Sequence, residues 1–230
     1  DLLFKSVAAV QEDDDDFLYA VVERTVNGRT VKYIERMHDH DIDDLQDAFH
    51  VDSGLSFDNP ILISGYTKAD PCVITTASAH GFSNNDTIDI TDIQITDTSQ
   101  TVGWSLATDV KGAGYTVANV TSTTFELQLN GTDVDSTNFE TYHAGGEVRE
   151  AVTEISGLWH LEGSTLVALA NGYVVKDLVV ANGAVTLPNA SSRVHMGLDY
   201  VTEIKTLRLD AGSLNPTSSG RVKKITHVGL

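Results

Sequence analysis

The sequence holds one cysteine, Cys72, and only four prolines in 230 residues. A lone thiol excludes an intramolecular disulfide framework and a multi-cysteine zinc site. It is compatible with folding in a reducing cytoplasm without requiring it. No apolar run approaches the roughly 18 residues that cross a bilayer as a helix. No basic segment leading into an apolar one is visible as a secretory signal. The chain opens on Asp1 rather than Met, with Leu2, Leu3 and Phe4 following at once, and so reads as a segment of a longer or trimmed polypeptide. Positive charge is also scarce, with 15 Lys and Arg against 33 Asp and Glu. Helical periodicity is nearly missing, one short turn at Asp43–Asp47 being its sole candidate.

What is present points to a folded β protein. Hydrophobic residues make up 41% and charged residues 21%, a globular rather than a disordered composition. A chain of this length holds one large β domain or two modest ones with a real core. The net charge of −18 is unevenly spread. Residues 1–62 carry 15 acids against 5 basic residues, residues 63–148 carry 11 against 2, and residues 149–230 carry 7 against 8. Gripping a phosphate backbone takes clustered Lys and Arg that release counterions, and the first two thirds offer the opposite field. Two readings stay open: solubility alone, or an acidic surface past which DNA slides without sticking.

Asn-Gly pairs punctuate the strand pattern. Asn27-Gly28 separates Phe17–Val26 from Arg29–Arg36, and two-residue Asn-Gly loops favour the type I′ turn whose twist suits antiparallel strands. That turn sets Glu23 opposite Lys32 and Val22 opposite Tyr33, both favourable cross-strand pairs. Asn171-Gly172 joins Thr165–Ala170 to Tyr173–Leu178, and Asn182-Gly183 joins Leu178–Ala181 to Ala184–Leu187, giving a meander. Asn130-Gly131 follows Thr123–Leu129, where Phe125, Leu127 and Leu129 alternate with Glu126 and Gln128. Further strands are expected at Cys72–Ala77, Thr87–Ile93 and Tyr115–Val120. The fold expected is therefore all-β. Residues 1–62 and 149–230 form a hairpin and meander host, and residues 63–148 form an inserted small β-barrel or sandwich; an insertion costs little closure entropy when its ends lie close together.

Several clusters invite a chemical reading. In Met37-His38-Asp39-His40-Asp41-Ile42-Asp43-Asp44, two imidazoles alternate with carboxylates and could share a divalent metal. Ligands must converge from separate elements, however, and a solvated loop explains the run as well. Asp13–Asp16 offers half of a calcium site, but reads better as a solvated turn that blunts a sheet edge. Asp133-Val134-Asp135 fails the calcium-loop pattern, because Asn138 and Ala144 stand where Gly and a carboxylate are needed. No Gly-x-Ser-x-Gly elbow or Gly-rich phosphate loop occurs, and no carboxylate pair is singled out for glycoside hydrolysis. Cys72 reads as a small buried apolar group, and His80 and His160 as structural histidines. Trp159, two residues before Leu161 in alternation, is expected to pack inward; Trp104, in a Gly-flanked loop, is the better hook for a sugar ring. No residue is assigned a catalytic, cofactor-binding or metal role, and no cofactor is expected.

Three stretches together resemble the distal portion of the nozzle or hub proteins that close the tails of short-tailed bacteriophages. They are Val21-Val22-Glu23-Arg24-Thr25-Val26-Asn27-Gly28 continuing through Tyr33-Ile34-Glu35-Arg36 to Val51-Asp52-Ser53-Gly54-Leu55, then Gly157-Leu158-Trp159-His160-Leu161-Glu162-Gly163, then Gly197-Leu198-Asp199-Tyr200. The middle of the chain has its own likeness. Ala69-Asp70-Pro71-Cys72-Val73-Ile74-Thr75-Thr76, His80-Gly81-Phe82, Tyr115-Thr116-Val117, Thr124-Phe125-Glu126-Leu127 and Gly145-Gly146 resemble the accessory β-barrel shared by phage tail proteins and ubiquitin-activating enzymes. No adenylation domain accompanies it, so nothing of that activity is implied.

The resemblance implies a non-enzymatic virion structural protein, located in the tail and assembled in the host cytoplasm. Its implied partners are other copies of itself in a ring, often of six in that family, a tail adaptor, and fibre or needle proteins. Double-stranded DNA would pass in transit without specific binding, and no membrane insertion is implied. Strands forming the bulk of a full nozzle are absent here, which puts this piece beside the exit channel as readily as around it. A tail- or surface-displayed glycan or receptor-binding module is the alternative, and a polysaccharide hydrolase is the third reading.

Overall fold

A computed structural model of the chain describes residues 3–12, 15–38, 45–95, 101–102, 114–139 and 141–201. Strands account for 64% and helical turns for 4%, so the fold is all-β, as the alternating pattern and turn residues predict. Asp1–Asp199 form one compact unit; of a second, Tyr200–Leu230, only Tyr200 and Val201 are described.

The first element is a three-stranded antiparallel sheet of β1 (Leu3–Glu12), β2 (Asp15–Val26) and β3 (Arg29–Arg36). Its β2–β3 register is the one the Asn-Gly turn demands: Val22 lies opposite Tyr33 and Glu23 opposite Lys32. Asn27 and Gly28 take φ of 47° and 74°, the doubly left-handed geometry of a type I′ turn. Asn130-Gly131, Asn171-Gly172 and Asn182-Gly183 adopt the same geometry.

A short 3-10 turn at Leu45–Asp47 precedes β4 (Asp52–Asp58), after which the chain enters a closed barrel. Its six antiparallel staves come from β5 (Ile61–Tyr66), β6 (Val73–Thr76), β7 (Thr87–Ile95), with β8 (Thr101–Val102) at its side, β9 (Tyr115–Ala118), β10 (Thr124–Leu129), with β11 (Thr132–Asp133) at its side, and β12 (Tyr142–Ser156). Round the barrel the order is β12, β5, β6, β10, β9, β7, and β7 returns to β12. Closure leaves no free edge along those staves. Ile74, Ile88, Ile90, Val117, Phe125, Leu127 and Val148 fill the interior with no exposed surface. On β7 the inward set runs Ile88, Ile90 and then Ile93, a break in alternation made by Asp92 at φ 61°. Facing it, Gly145 and Gly146 are obligatory, since a Cβ on Gly146 would lie 2.7 Å from Ile93.

A second core lies between a four-stranded sheet, ordered β14, β13, β16, β4, and the far half of β12 paired with β15. These strands are β13 (Thr165–Ala170), β14 (Tyr173–Val179), β15 (Ala184–Ser191) and β16 (Arg193–Leu198). Leu158, Leu161, Leu166, Val194 and Met196 are its deepest members. The Asn182-Gly183 turn does more than extend a meander. Beyond the single Ala181–Ala184 bridge, β14 and β15 part company: β14 pairs with β13, while β15 crosses to β12. Leu178 and Val180 before the turn and Val185 and Leu187 after it all enter one core, so the chain turns a corner instead of continuing a flat sheet.

β12 serves both cores: Val148 points into the barrel and Ile155 into the second cluster. At the seam sits Arg149, 5% exposed, with Nε 2.6 Å from Asp58 and a terminal nitrogen 2.7 Å from Glu147. Burial works against its charge, but Asp58 and Glu147 more than offset that and hold the guanidinium protonated. Arg193 bridges Asp58 to Asp47 at 3.4 and 2.9 Å. These pairs lock the first sheet's outgoing chain, the barrel and β16 at one junction.

Candidate functional site

Two surfaces stand out, and both involve the β1–β3 sheet. Cross-strand register sorts its side chains. Val22, Arg24 and Val26 share one face with Tyr33, Val31 and Arg29, and this end of the sheet docks on the rest of the molecule. Val22 is fully buried, Arg24 pairs with Glu35 at 3.0 and 3.1 Å, and the Ser53 hydroxyl donates to Glu35 at 2.7 Å.

The rest of the sheet is uncovered by described residues: on the same face Phe4, beside Val22, and Val7 on β1 and Leu18 on β2 are exposed. On the reverse face Leu3, Val10 and Ile34 are exposed, Ile34 by 75%. β1 is exposed along almost its entire length on both sides, and its outer edge pairs with no described strand. A three-stranded ribbon without a cover on either face is marginal by itself. Ion pairs brace it instead: Lys5 to Glu23 at 3.1 Å and Arg36 to Glu12 at 3.1 Å, while the Tyr19 hydroxyl donates to Glu12. The Arg36 guanidinium lies 3.6 Å from the Phe17 ring centroid. Residues 3–38 carry five basic and seven acidic side chains, Asp13 and Asp14 included. The described residues of the barrel, within 61–95 and 114–148, carry Lys68 alone against eight acids.

The second surface is a cleft of about 400 Å³ lined by Val26, Asn27, Arg29, Val31 and Tyr33 of the hairpin and by Trp159 and Glu162. Trp159 overturns the expectation drawn from alternation. It is 67% exposed, not inward. Gly157 and Gly163, both at positive φ, interrupt the strand pattern, and Trp159–Leu161 forms a 3-10 turn. At three residues per turn, Leu158 and Leu161 point inward together, and of the two residues between them Trp159 turns out. The same change of period removes His160 from a strand; its Nε2 lies 2.9 Å from the Ser53 carbonyl and its ring stands edge-on to Tyr33. The indole of Trp159 lies on Gly183, where a Cβ would collide with it. Both oxygens of Glu162 accept backbone N–H groups of that turn, from Asn182 at 3.1 Å and Gly183 at 2.7 Å. Glu162 is thus committed to holding the platform and is not set up as an acid or base.

The remaining candidates are dispersed. Of the 37–44 run only Met37 and His38 are described, and His38 stacks on Phe49 at 4.6 Å; the rest of the metal reading lies outside the described residues. So does Trp104. Asp15 and Asp16 open β2, and their neighbours Asp13 and Asp14 lie outside the described residues. Asp133 accepts from Gln128, and Asp135 accepts from Thr137, whose donors hold its carboxyl below the usual range. Among the described residues no three His, Cys, Asp or Glu side chains converge as metal ligands. Cys72 is wholly inside the barrel, and burial pushes its thiol pKa up. His80 is buried beside Phe82 and Phe125, its Nδ1 accepting the Phe82 N–H.

One nucleophile–base contact exists that sequence reading passed over. Ser56 and His195 are register partners on β4 and β16, with Oγ 2.7 Å from Nδ1. Burial lowers the His195 pKa, despite Asp47 and Asp58 nearby, and so works against the charged ring. Its Nε2 is buried and meets no partner among the described residues, so no third group orients the imidazole as a relay requires. The pair packs against Phe49 at 5.8 Å as part of the β4–β16 seam.

Compared with known proteins, the chain matches no family model and no curated protein.

Proposed function

We propose that this chain is a bacteriophage virion structural protein, part of a tail nozzle or hub around or beside the DNA exit channel, working by assembly and not by chemistry. One observation carries the reading: among the described residues, the β1–β3 sheet leaves apolar side chains exposed on both faces and one edge without a partner strand. Natural sheets blunt such edges, and patches of this kind mark contact surfaces. The same sheet segment, with seven acids against five basic residues, is less acidic than the barrel, so like copies approach there with less repulsion than at the barrel.

The framework residues from Val21 to Leu55, 157 to 163 and 197 to 200 support the tail assignment, and the acidic barrel suits a surface that DNA passes without adhering. The partners proposed are further copies in a ring, an adaptor above, and fibres or a needle below. Electron microscopy of the intact particle tests the proposal. A ring at the tail tip is the expected result; density in the capsid, or absence from virions, defeats it.

A further inference from the structure

We propose that the Trp159 cleft binds a pyranose ring of a polysaccharide, the apolar face of the sugar lying on the indole and its polar edge meeting Arg29. This goes beyond the assembly reading and does not rest on it, because the cleft is lined by the turn end of the hairpin with Trp159 and Glu162 and by no residue of β1.

The argument starts from rigidity. A tryptophan exposed by 67% normally gains nothing from being held still, yet this one is held from beneath. Gly183 gives its ring a flat backbone bed, Glu162 ties that turn through two N–H groups, and the Gly183 carbonyl accepts from Leu158 N at 2.8 Å. Leu158 and Leu161 anchor the 3-10 turn in the core on either side. The outer face of the indole is thus a preorganised platform, and ligand binding there forfeits little side-chain entropy.

The wall opposite supplies the complementary chemistry. Register puts Arg29, Val31 and Tyr33 on the hairpin face that lines the cleft. Among the described residues the Arg29 guanidinium has no ion pair, unlike Arg24 and Arg36 in the same sheet. An aromatic face, a short apolar floor and a free fork of N–H donors together fit a ring with one C–H face and hydroxyls or a carboxylate on its rim. Glu162 is the sole acid lining the cleft and already accepts two backbone N–H groups, so no carboxylate pair for hydrolysis is present there and the cleft holds a sugar without cleaving it.

Affinity electrophoresis of the whole chain through gels of dextran, mannan, galactan and polygalacturonate tests this. Retardation in at least one gel is expected, and Trp159→Ala should weaken it by about tenfold or more. Trp159→Phe should keep part of it, Trp104→Ala all of it, and Arg29→Ala should weaken it without abolishing it. Retardation by polygalacturonate alone identifies a carboxylate as the partner of Arg29; retardation in a neutral gel identifies hydroxyls. Trp159 is exposed, so its variants should melt with the parent, which separates lost binding from lost folding. No retardation of the parent in any gel overturns the proposal, as does a Trp159→Ala chain that migrates like the parent. A fall in solution mass on Trp159→Ala also overturns it, since the cleft would then be a contact between copies.

Discussion

The barrel and the β1–β3 sheet are built from the same strand chemistry and end in opposite conditions. In the barrel, six staves close on one another and every large inward side chain is covered; in the sheet, β1 stops at an open edge with apolar residues bare on both faces. The barrel's described residues carry one lysine against eight acids, whereas the sheet offsets most of its acids with basic residues and is laced with ion pairs. Closure consumes hydrophobic surface within the chain; an open ribbon leaves it for something else. What separates the two is topology, because β12 reaches back to β7 across the sequence while β1 meets no described strand on its outer side.

The comparison is broken most severely inside the barrel. Phe125→Ala, at a fully buried site, should cost about 3–5 kcal/mol in urea unfolding. Arg149→Met at the seam should cost about 3 kcal/mol, because Glu147 is left without its cation in a poorly solvated place. Val7→Lys or Ile34→Lys on the sheet should move the unfolding midpoint little, within about 0.5 kcal/mol. The same changes should shift sedimentation toward monomer. A loss of stability with unchanged mass would show that these residues act within one chain.

The smallest effect concerns acid. Burial works to raise the Glu35 pKa, but Arg24 and the Ser53 hydroxyl outweigh it and hold the carboxyl below its usual range. A carboxylate whose folded pKa is depressed contributes stability above its unfolded pKa and loses it as pH falls through the folded value. Glu35→Gln should therefore cost up to about 1 kcal/mol at neutral pH. It should also flatten the acid limb of stability against pH; a limb of unchanged slope would remove Glu35 from the docking of this sheet.

Local features were legible in the chain and global ones were not. Each Asn-Gly pair demands positive φ twice, and that demand survives any tertiary context, so hairpin registers such as Val22–Tyr33 follow from it. Barrel closure depends on Thr87–Ile95 meeting Tyr142–Ala151 across a long separation, which no local pattern encodes. Trp159 was misjudged because two glycines changed the period from two to three, and alternation then assigned the wrong side. Ser56 and His195 are 139 residues apart and meet only through the β4–β16 register. β1 shows a further limit: Val7-Ala8-Ala9-Val10 looks like core, and hydrophobicity alone does not say whether the cover comes from the same chain.

The continuity of β12 has a mechanical meaning. Its fifteen residues run from one filled interior into the next with no loop between, so thrust at one end travels along covalent backbone to the other. Deleting a residue near Ala151 would swap inside for outside along whichever half gave way, and neither half could slip without tearing its neighbours. The strand behaves as an axle: the two bodies it threads move as one piece.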